Sequence, residues 1–359
     1  MSQLFQPLRL RGVEARNRAW VSPMCQYSAT DGVPDDWHLV HLGSLARGGA
    51  GLVFSEATAV TPEGRISAQD TGIWNDRQVA AWSRVVDFIH RMGAPAGMQL
   101  AHAGRKASIR RPWEGRAGVP DEEGGWQPVA PSAVPAEGLR QDPRELAREE
   151  LPGLVEAFAA GARRALQAGF DVLEVHAAHG YLLHEFLSPL SNRRRDEYGG
   201  SFENRTRLVL EVVHAVRRTV PEETPVLVRI SATDWVEGGW DPDDSVRLAV
   251  LLREAGVDLV DVSSGGIAAG ARIPTGPGYQ VELARRVRAE AGIPTGAVGL
   301  ITEAKQAEDI VADGSADAVL LARALLRNPH WPLDAAHRLG VRPGEGVDWP
   351  PQYLRASLD

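Results

Sequence analysis

Short apolar runs rich in β-branched residues alternate along this chain with longer stretches whose apolar positions recur every three or four residues. The first kind predicts buried strands at AWVSP (19–23), GLVFSEAT (51–58), PAGMQL (95–100) and FDVLEVHAA (170–178). It continues with PVLVRIS (225–231), VDLVDVSS (257–264), IPTGAVG (293–299) and ADAVLLA (316–322). The second kind predicts helices, as in RQVAAWSRVVDFIHRMG (77–93), where Val79, Trp82, Val86 and Ile89 share one face. Further helices are expected over 151–169, 204–220, 244–256, 281–292 and 303–314, several ending at a glycine able to take the left-handed conformation. Eight strands each followed by a helical stretch predict an α/β fold, a single (β/α)8 TIM barrel over 1–359; a doubly wound sheet fits eight sequential units less well.

Two segments fall outside the alternation. Residues 108–148, rich in Pro, Gly, Trp and charge, show no sustained period. A long loop in a compact domain is usually a lid or a functional excursion, and this one follows strand three, so it is expected over the C-terminal mouth. Residues 1–18 read as an N-terminal cap closing the opposite end, and 340–359 as a C-terminal tail.

Composition narrows the partners. With 43% hydrophobic and 24% charged residues the chain is of ordinary globular type, and its net charge of −8 argues against nucleic acid or an anionic membrane. No apolar run nears the roughly 18 residues a membrane span requires, and MSQLFQPLRL lacks a signal peptide's apolar core, so a cytoplasmic protein is expected. One cysteine, Cys25, permits no intrachain disulfide.

Barrel active sites gather at the C-terminal strand ends. Those ends carry Pro23, Met24 and Cys25; Glu56, Ala57 and Thr58; Gln99 and His102; His176, His179 and Tyr181; Arg229; Ser263, Ser264 and Gly265; then Gly299, Ala322 and Arg323. Amide, imidazole, phenol and guanidinium donors outnumber carboxylates, which suits a flat hydrogen-bonding anion better than a hard metal. His176 and His179 could clamp zinc or iron, but a third ligand is not evident, and no metal is expected. The loops after strands seven and eight, AVGLIT and LLARALLRNPHWP, join small residues to an arginine, a pattern suited to a phosphate.

At these residues the chain resembles the Old Yellow Enzyme family of flavin-dependent ene-reductases, and in particular its thermophilic-like, xenobiotic reductase-like branch. The matching motifs run in order: SPMCQYS (22–28), DWHLVHLGSLARGGAGLVFSEATAV (36–60), MQLAHAGRKA (98–107), VHAAHGYLLHEFLSPLSNRRRDEYGG (175–200), LVRIS (227–231), PGYQV (277–281), AVGLIT (297–302) and ARALLRNPHWP (322–332). The resemblance implies non-covalent FMN over the barrel mouth and NADPH or NADH as reductant. Ser22, Pro23, Met24 and Cys25 would line the flavin ring, Ala57 and Gln99 would meet its edge, and Arg229 would sit where negative charge gathers on reduction. Gly299, Ala322 and Arg323 would take the phosphate. Many relatives have glycine at position 322, so alanine there is strained if the backbone needs a positive φ.

The resemblance also implies roles for the histidines. His176 and His179 would donate hydrogen bonds to a carbonyl or nitro oxygen of an activated alkene, Tyr27 would complete that pocket, and Tyr181 would protonate the α-carbon. A phenol of ordinary pKa, near 10, is protonated at neutral pH. Cys25 would tune the flavin rather than act as nucleophile. Arg355, in QYLRASLD, would reach a neighbouring subunit's site in a homodimer or homotetramer. The activity implied is NAD(P)H-dependent ping-pong reduction of enones, nitroalkenes and maleimides. The alternative is a flavin-binding redox or xenobiotic-response protein with low turnover.

Overall fold

The structure, a computed structural model, describes residues 2–115, 117–136, 139 and 142–357. Eight strands close a parallel barrel: β1 (Ala19–Val21), β2 (Val53–Ala59), β3 (Ala96–Ala101), β4 (Val172–Ala177), β5 (Val226–Ser231), β6 (Leu259–Ser263), β7 (Thr295–Ala297) and β8 (Ala318–Leu321). β8 pairs in parallel with β1, which completes the ring. Each expected strand is present, within a few residues of its expected limits.

Helices cover the outside: α1 (Asp36–Arg47), α2 (Asp76–Arg91), α3 (Leu151–Gln167), α4 (Leu182–Leu187), α5 (Phe202–Thr219), α6 (Pro242–Glu254), α7 (Val281–Ala291), α8 (Ala304–Ala312), α9 (Arg323–Arg327) and α10 (Trp331–Arg338). Local chemistry sets their ends. Asn75 Oδ1 accepts from the Gln78 N–H, and the Asn75 N–H donates to Gln78 Oε1 in return, a reciprocal cap that starts α2. Asp241 caps α6 just before Pro242, and Gly292 stops α7 at φ +64°. α2 buries Trp82, Val85, Val86 and Ile89, while Val79 is only half-buried. The apolar faces of α2, α3 and α5 meet the outer faces of the strands in one large cluster that includes Phe158, Leu208 and Val228.

The two segments outside the alternation lie at opposite ends. The N-terminal strands Leu8–Leu10 and Val13–Ala15 form a hairpin. Leu10 and Ala15 pack with Leu52, Val172, Leu227, Leu259 and Ala318, all at or next to strand beginnings, so this hairpin plugs the bottom. The 108–148 excursion holds short 3-10 turns and one two-residue strand pair, Val129–Ala130 with Arg144–Glu145. Its Ile109, Ala136 and Leu139 border a cavity shared with Tyr27 and Tyr181. Residues 116, 137, 138, 140 and 141 of that excursion, and 358 and 359 of the tail, lie outside the described residues. Among the described residues no helix is long and apolar enough to cross a membrane.

Candidate active site

Strand register builds the floor of the site. Ala57 on β2 pairs with Gln99 on β3, and Gln99 with Glu174 on β4. Two residues further along β4, His176 pairs with Arg229 on β5, which pairs with Asp261 on β6. In-register residues on parallel strands face the same way, and the period of two brings Glu174 and His176 to one face. An alternation that looks merely apolar in the sequence therefore places an amide, two carboxylates, an imidazole and a guanidinium side by side.

These groups are buried and interlocked. Gln99 Nε2 donates to Glu174 Oε1 at 2.7 Å. Arg229 donates to Ser22 Oγ at 3.1 Å, and its Nε lies 3.0 Å from Asp261 Oδ2. Burial, with the Asp261 charge behind it, pushes the Glu174 carboxyl up to about 8 against the pull of Arg229 and Gln99. Burial also lifts Asp261 to about 6, again opposed by Arg229. Arg229 is thus left with less counter-charge than two ionised carboxylates would give.

Above this floor stand three rings. His176 meets both His179 and Tyr181 edge to face, with centroids 5.2 Å away in each case. His179 has φ +60°, an unusual backbone for a non-glycine residue, and three contacts hold it there. Its N–H donates to Ser231 Oγ at 2.9 Å, its Nε2 lies 2.7 Å from Ser263 Oγ, and its carbonyl accepts from Lys106 Nζ at 2.7 Å. Burial, then the Arg229 charge, depresses both histidines well below the usual imidazole range. At neutral pH each is a neutral ring with one N–H. His176 Nδ1 is buried and has no hydrogen-bond partner among the described residues.

Tyr27 and Tyr181 line a cavity of about 420 Å³ with Lys106, Ile109 and Ile267, beneath the 108–148 excursion. Cys25 keeps some exposed surface, yet burial and the charges of Asp70 and Glu56 push its thiol well up, so it stays protonated and weakly nucleophilic. A second cavity, of about 200 Å³, lies at the ends of β7 and β8 and is bordered by Gly299, Leu300, Ala322 and Arg323. Gly299 at φ +124° and Leu300 at φ +50° turn the backbone there, and a Cβ on Gly299 would stand 2.7 Å from Gln280 Nε2. Ala322 adopts φ −117°, so alanine carries no left-handed strain.

The structure places the residues expected at this chain's own mouth at or just after the C-terminal strand ends. Arg355 lies exposed on the 3-10 turn Pro351–Ala356, where Tyr353 packs against His330 and Arg47. Several residues that shape the site were not singled out by sequence reasoning. Lys106 reaches over the Tyr181 ring at 5.6 Å, and Gln280 accepts from Ser264 Oγ at 2.5 Å while donating to the Val298 carbonyl. Both sit inside matched motifs, AHAGRKA and PGYQV, and that was the available signal.

Comparison with known proteins fixes the family. The model of the NADH:flavin oxidoreductase / NADH oxidase family matches residues 3–341. This chain belongs to that family. An NADPH dehydrogenase of Geobacillus thermodenitrificans (strain NG80-2) is 49% identical over 354 residues, 98% of each chain. Morphinone reductase in complex with tetrahydroNAD superposes with a TM-score of 0.78 at 32% identity, covering 100% of this chain and 98% of that one. The old yellow enzyme homologue from Zymomonas mobilis gives 0.78 at 29% identity, covering 99% of each.

The chain is therefore an FMN-linked NAD(P)H oxidoreductase of the Old Yellow Enzyme type. Its own residues fit that cofactor. The Gln99 amide and the Arg229 guanidinium offer donors suited to a pyrimidine edge, and the second cavity offers a tight glycine turn and Arg323 for a phosphate. Among the described residues no group of three or more His, Cys, Asp or Glu is placed to hold a metal.

Proposed function

We propose that the protein reduces the C=C bond of alkenes conjugated to a carbonyl or nitro group, at the expense of NAD(P)H. The observation that carries this reading is the ring triad, His176, His179 and Tyr181, packed at 5.2 Å beside the 420 Å³ cavity. FMN, when bound, would supply the hydride-transfer chemistry, with NAD(P)H as the source of the electrons. Ser22, Pro23, Met24 and Cys25 would line its ring, with Ala57 and Gln99 at the edge, Arg229 beside the pyrimidine, and Gly299, Ala322 and Arg323 around the phosphate.

His176 and His179 hold the substrate oxygen by donated hydrogen bonds. Those bonds strengthen as negative charge develops on that oxygen, so they favour the transition state over the ground state. Tyr181 gives its phenolic proton to the α-carbon and regains one from solvent. The sum is one hydride from NAD(P)H and one proton from water added across the double bond. Tyr27 and the excursion exclude water from the reacting face. Arg355, exposed on its turn, would enter a neighbouring subunit's pocket in a homodimer or homotetramer.

Flavin absorbance of the FMN holoprotein tests the reading. NADPH should bleach it, and 2-cyclohexenone should restore the colour at a rate that supports turnover. Bleaching without such recovery would favour a redox-response protein instead. Sizing of the Arg355→Ala variant, together with its turnover, checks the shared-site reading.

A further inference from the structure

His184 and Asp234 take no part in the mechanism above, yet they form a fully buried pair directly beneath it. His184 lies on α4, and Asp234 follows β5. The imidazole Nε2 stands 3.0 Å from Asp234 Oδ1, close enough for an ion-pair contact but outside hydrogen-bond geometry, and neither side chain is exposed. The other ring nitrogen, Nδ1, accepts a hydrogen bond from the Gly180 N–H at 2.8 Å. A nitrogen that accepts carries no hydrogen, so the ring hydrogen is on Nε2, facing the carboxylate. Asp234 is held in turn: its Oδ2 accepts from Ser188 Oγ at 2.6 Å and from the Trp240 N–H at 2.8 Å.

Gly180 is the residue between His179 and Tyr181. It sits at φ +71°, next to His179 at φ +60°, so the chain makes two successive left-handed residues at the point where it presents both side chains. A Cβ on Gly180 would fall 2.2 Å from the Gly266 carbonyl oxygen, so the turn is pressed against the loop after β6 on one side. Lys106 ties that side down by donating to the carbonyls of both His179 and Gly266. On the other side the Gly180 N–H has His184 as its acceptor. A buried amide without an acceptor would pull the turn toward another conformation.

We propose that His184 and Asp234 are a positioning dyad: Asp234 sets the His184 tautomer, and His184 anchors the turn that aims His179 and Tyr181 at the substrate. The inference rests on the functional reading above. It assigns work to the third histidine of the HAAHGYLLHEF motif, which a family of hydrogen-bond donors alone leaves unexplained.

The decisive variant is Asp234→Asn. Its carbonyl must stay with Ser188 and the Trp240 N–H, which turns the amide NH2 toward His184 Nε2. The imidazole then has to accept there and carry its hydrogen on Nδ1, donor against donor with Gly180. Reoxidation of the reduced holoprotein by 2-cyclohexenone should fall about tenfold or more, the scale of one misaligned hydrogen bond. FMN affinity should hold. Reduction by NADPH should fall less, because Tyr181 serves only the second half-reaction. His184→Asn keeps an acceptor near the Nδ1 position and should retain most of the rate, whereas His184→Gln, which reaches Asp234 but not Gly180, should not. In the His184→Asn background, Asp234→Asn should do nothing further, since no ring remains to change tautomer.

Wild-type reoxidation by Asp234→Asn, or the same loss in the His184→Asn background, would overturn the dyad. So would failure of both Asp234→Asn and His184→Asn to fold, because a pair that only sets a tautomer is dispensable for folding. If instead the wild-type holoprotein is reduced by NADPH and never reoxidised by a conjugated alkene, the functional reading fails first, and the dyad with it.

Discussion

Gln99 on β3 donates to Glu174 on β4 at 2.7 Å, and this bond decides which way the glutamine amide faces. With one Nε2 hydrogen committed, Oε1 and the second N–H remain for the donor–acceptor edge of a pyrimidine. Glu174→Leu removes the acceptor and frees the amide to turn. The FMN dissociation constant should rise about tenfold, equivalent to roughly 1.4 kcal/mol, the scale of one hydrogen bond. Titration of the apoprotein by flavin fluorescence quenching measures it. An unchanged constant in the leucine variant would mean that the amide's orientation is irrelevant to the cofactor.

Tyr181 begins α4 with its backbone N–H on the Ala178 carbonyl and its ring against His176, so a phenylalanine would keep the packing and lose only the hydroxyl. Tyr181→Phe should slow reoxidation by 2-cyclohexenone about a hundredfold, the lower range for loss of a positioned general acid. Reduction by NADPH should stay within about twofold, since no proton donor is needed there. Stopped-flow absorbance resolves the two steps. Equal rates in both would remove Tyr181 as proton donor.

His176 and His179 are held neutral by burial and by the Arg229 charge, far below the ordinary imidazole range. Binding of a phenol to the oxidised holoprotein should therefore show no step near pH 6.5, where a free imidazole titrates. His176→Ala should weaken that binding about tenfold at every pH in the range, as expected for one lost donor. The same depression has a stability consequence. Unfolded histidine takes up a proton as pH falls below about 6.5 and these two do not, so their contribution is complete above that pH and is lost on acidification. A phenol-binding transition centred near 6.5 that persists in an Asp261→Asn variant, which removes the neighbouring carboxyl lifted to about 6, would show that at least one of the pair is solvated.

How much of this was legible in the sequence differs by element. All eight strands were, because strands buried on both faces read as apolar runs with turn residues at either end. α1 was harder: Trp37 and Val40 lie 57% and 69% exposed on its outer face, which blurs the apolar period. Gln99, Arg229 and the His176 group could be named from strand-end position and motif. Glu174 and Asp261 could not be placed, since whether a carboxylate inside a strand faces the barrel axis or a helix depends on register, and register depends on all eight strands. Lys106 acts through the backbone carbonyl of His179, 73 residues further along the chain, and Asp234 meets His184 from 50 residues away. No spacing rule exposes such a contact.

Glu185, next to His184 on α4, offers a clean test of how burial governs charge beneath the site. Its Oε1 accepts from the Arg105 N–H at 2.9 Å, while Oε2 is buried with no partner among the described residues. Burial pushes the carboxyl up to about 8, against the charges of Arg105 and Lys106 and the Arg105 N–H. The folded-state pKa thus lies above the unfolded one of about 4.3. Glu185 therefore contributes fully below that lower value, and its contribution is lost as pH climbs through about 8. Glu185→Gln keeps the acceptor for Arg105 and cannot ionise. Its melting temperature should differ little from wild type at about pH 4 and should exceed it by at least about 3 °C by about pH 9. Thermal scans across that range check the sign. A difference that stays constant with pH would show that this carboxyl has the same proton occupancy folded and unfolded, and that burial at this position is relieved by a route other than protonation.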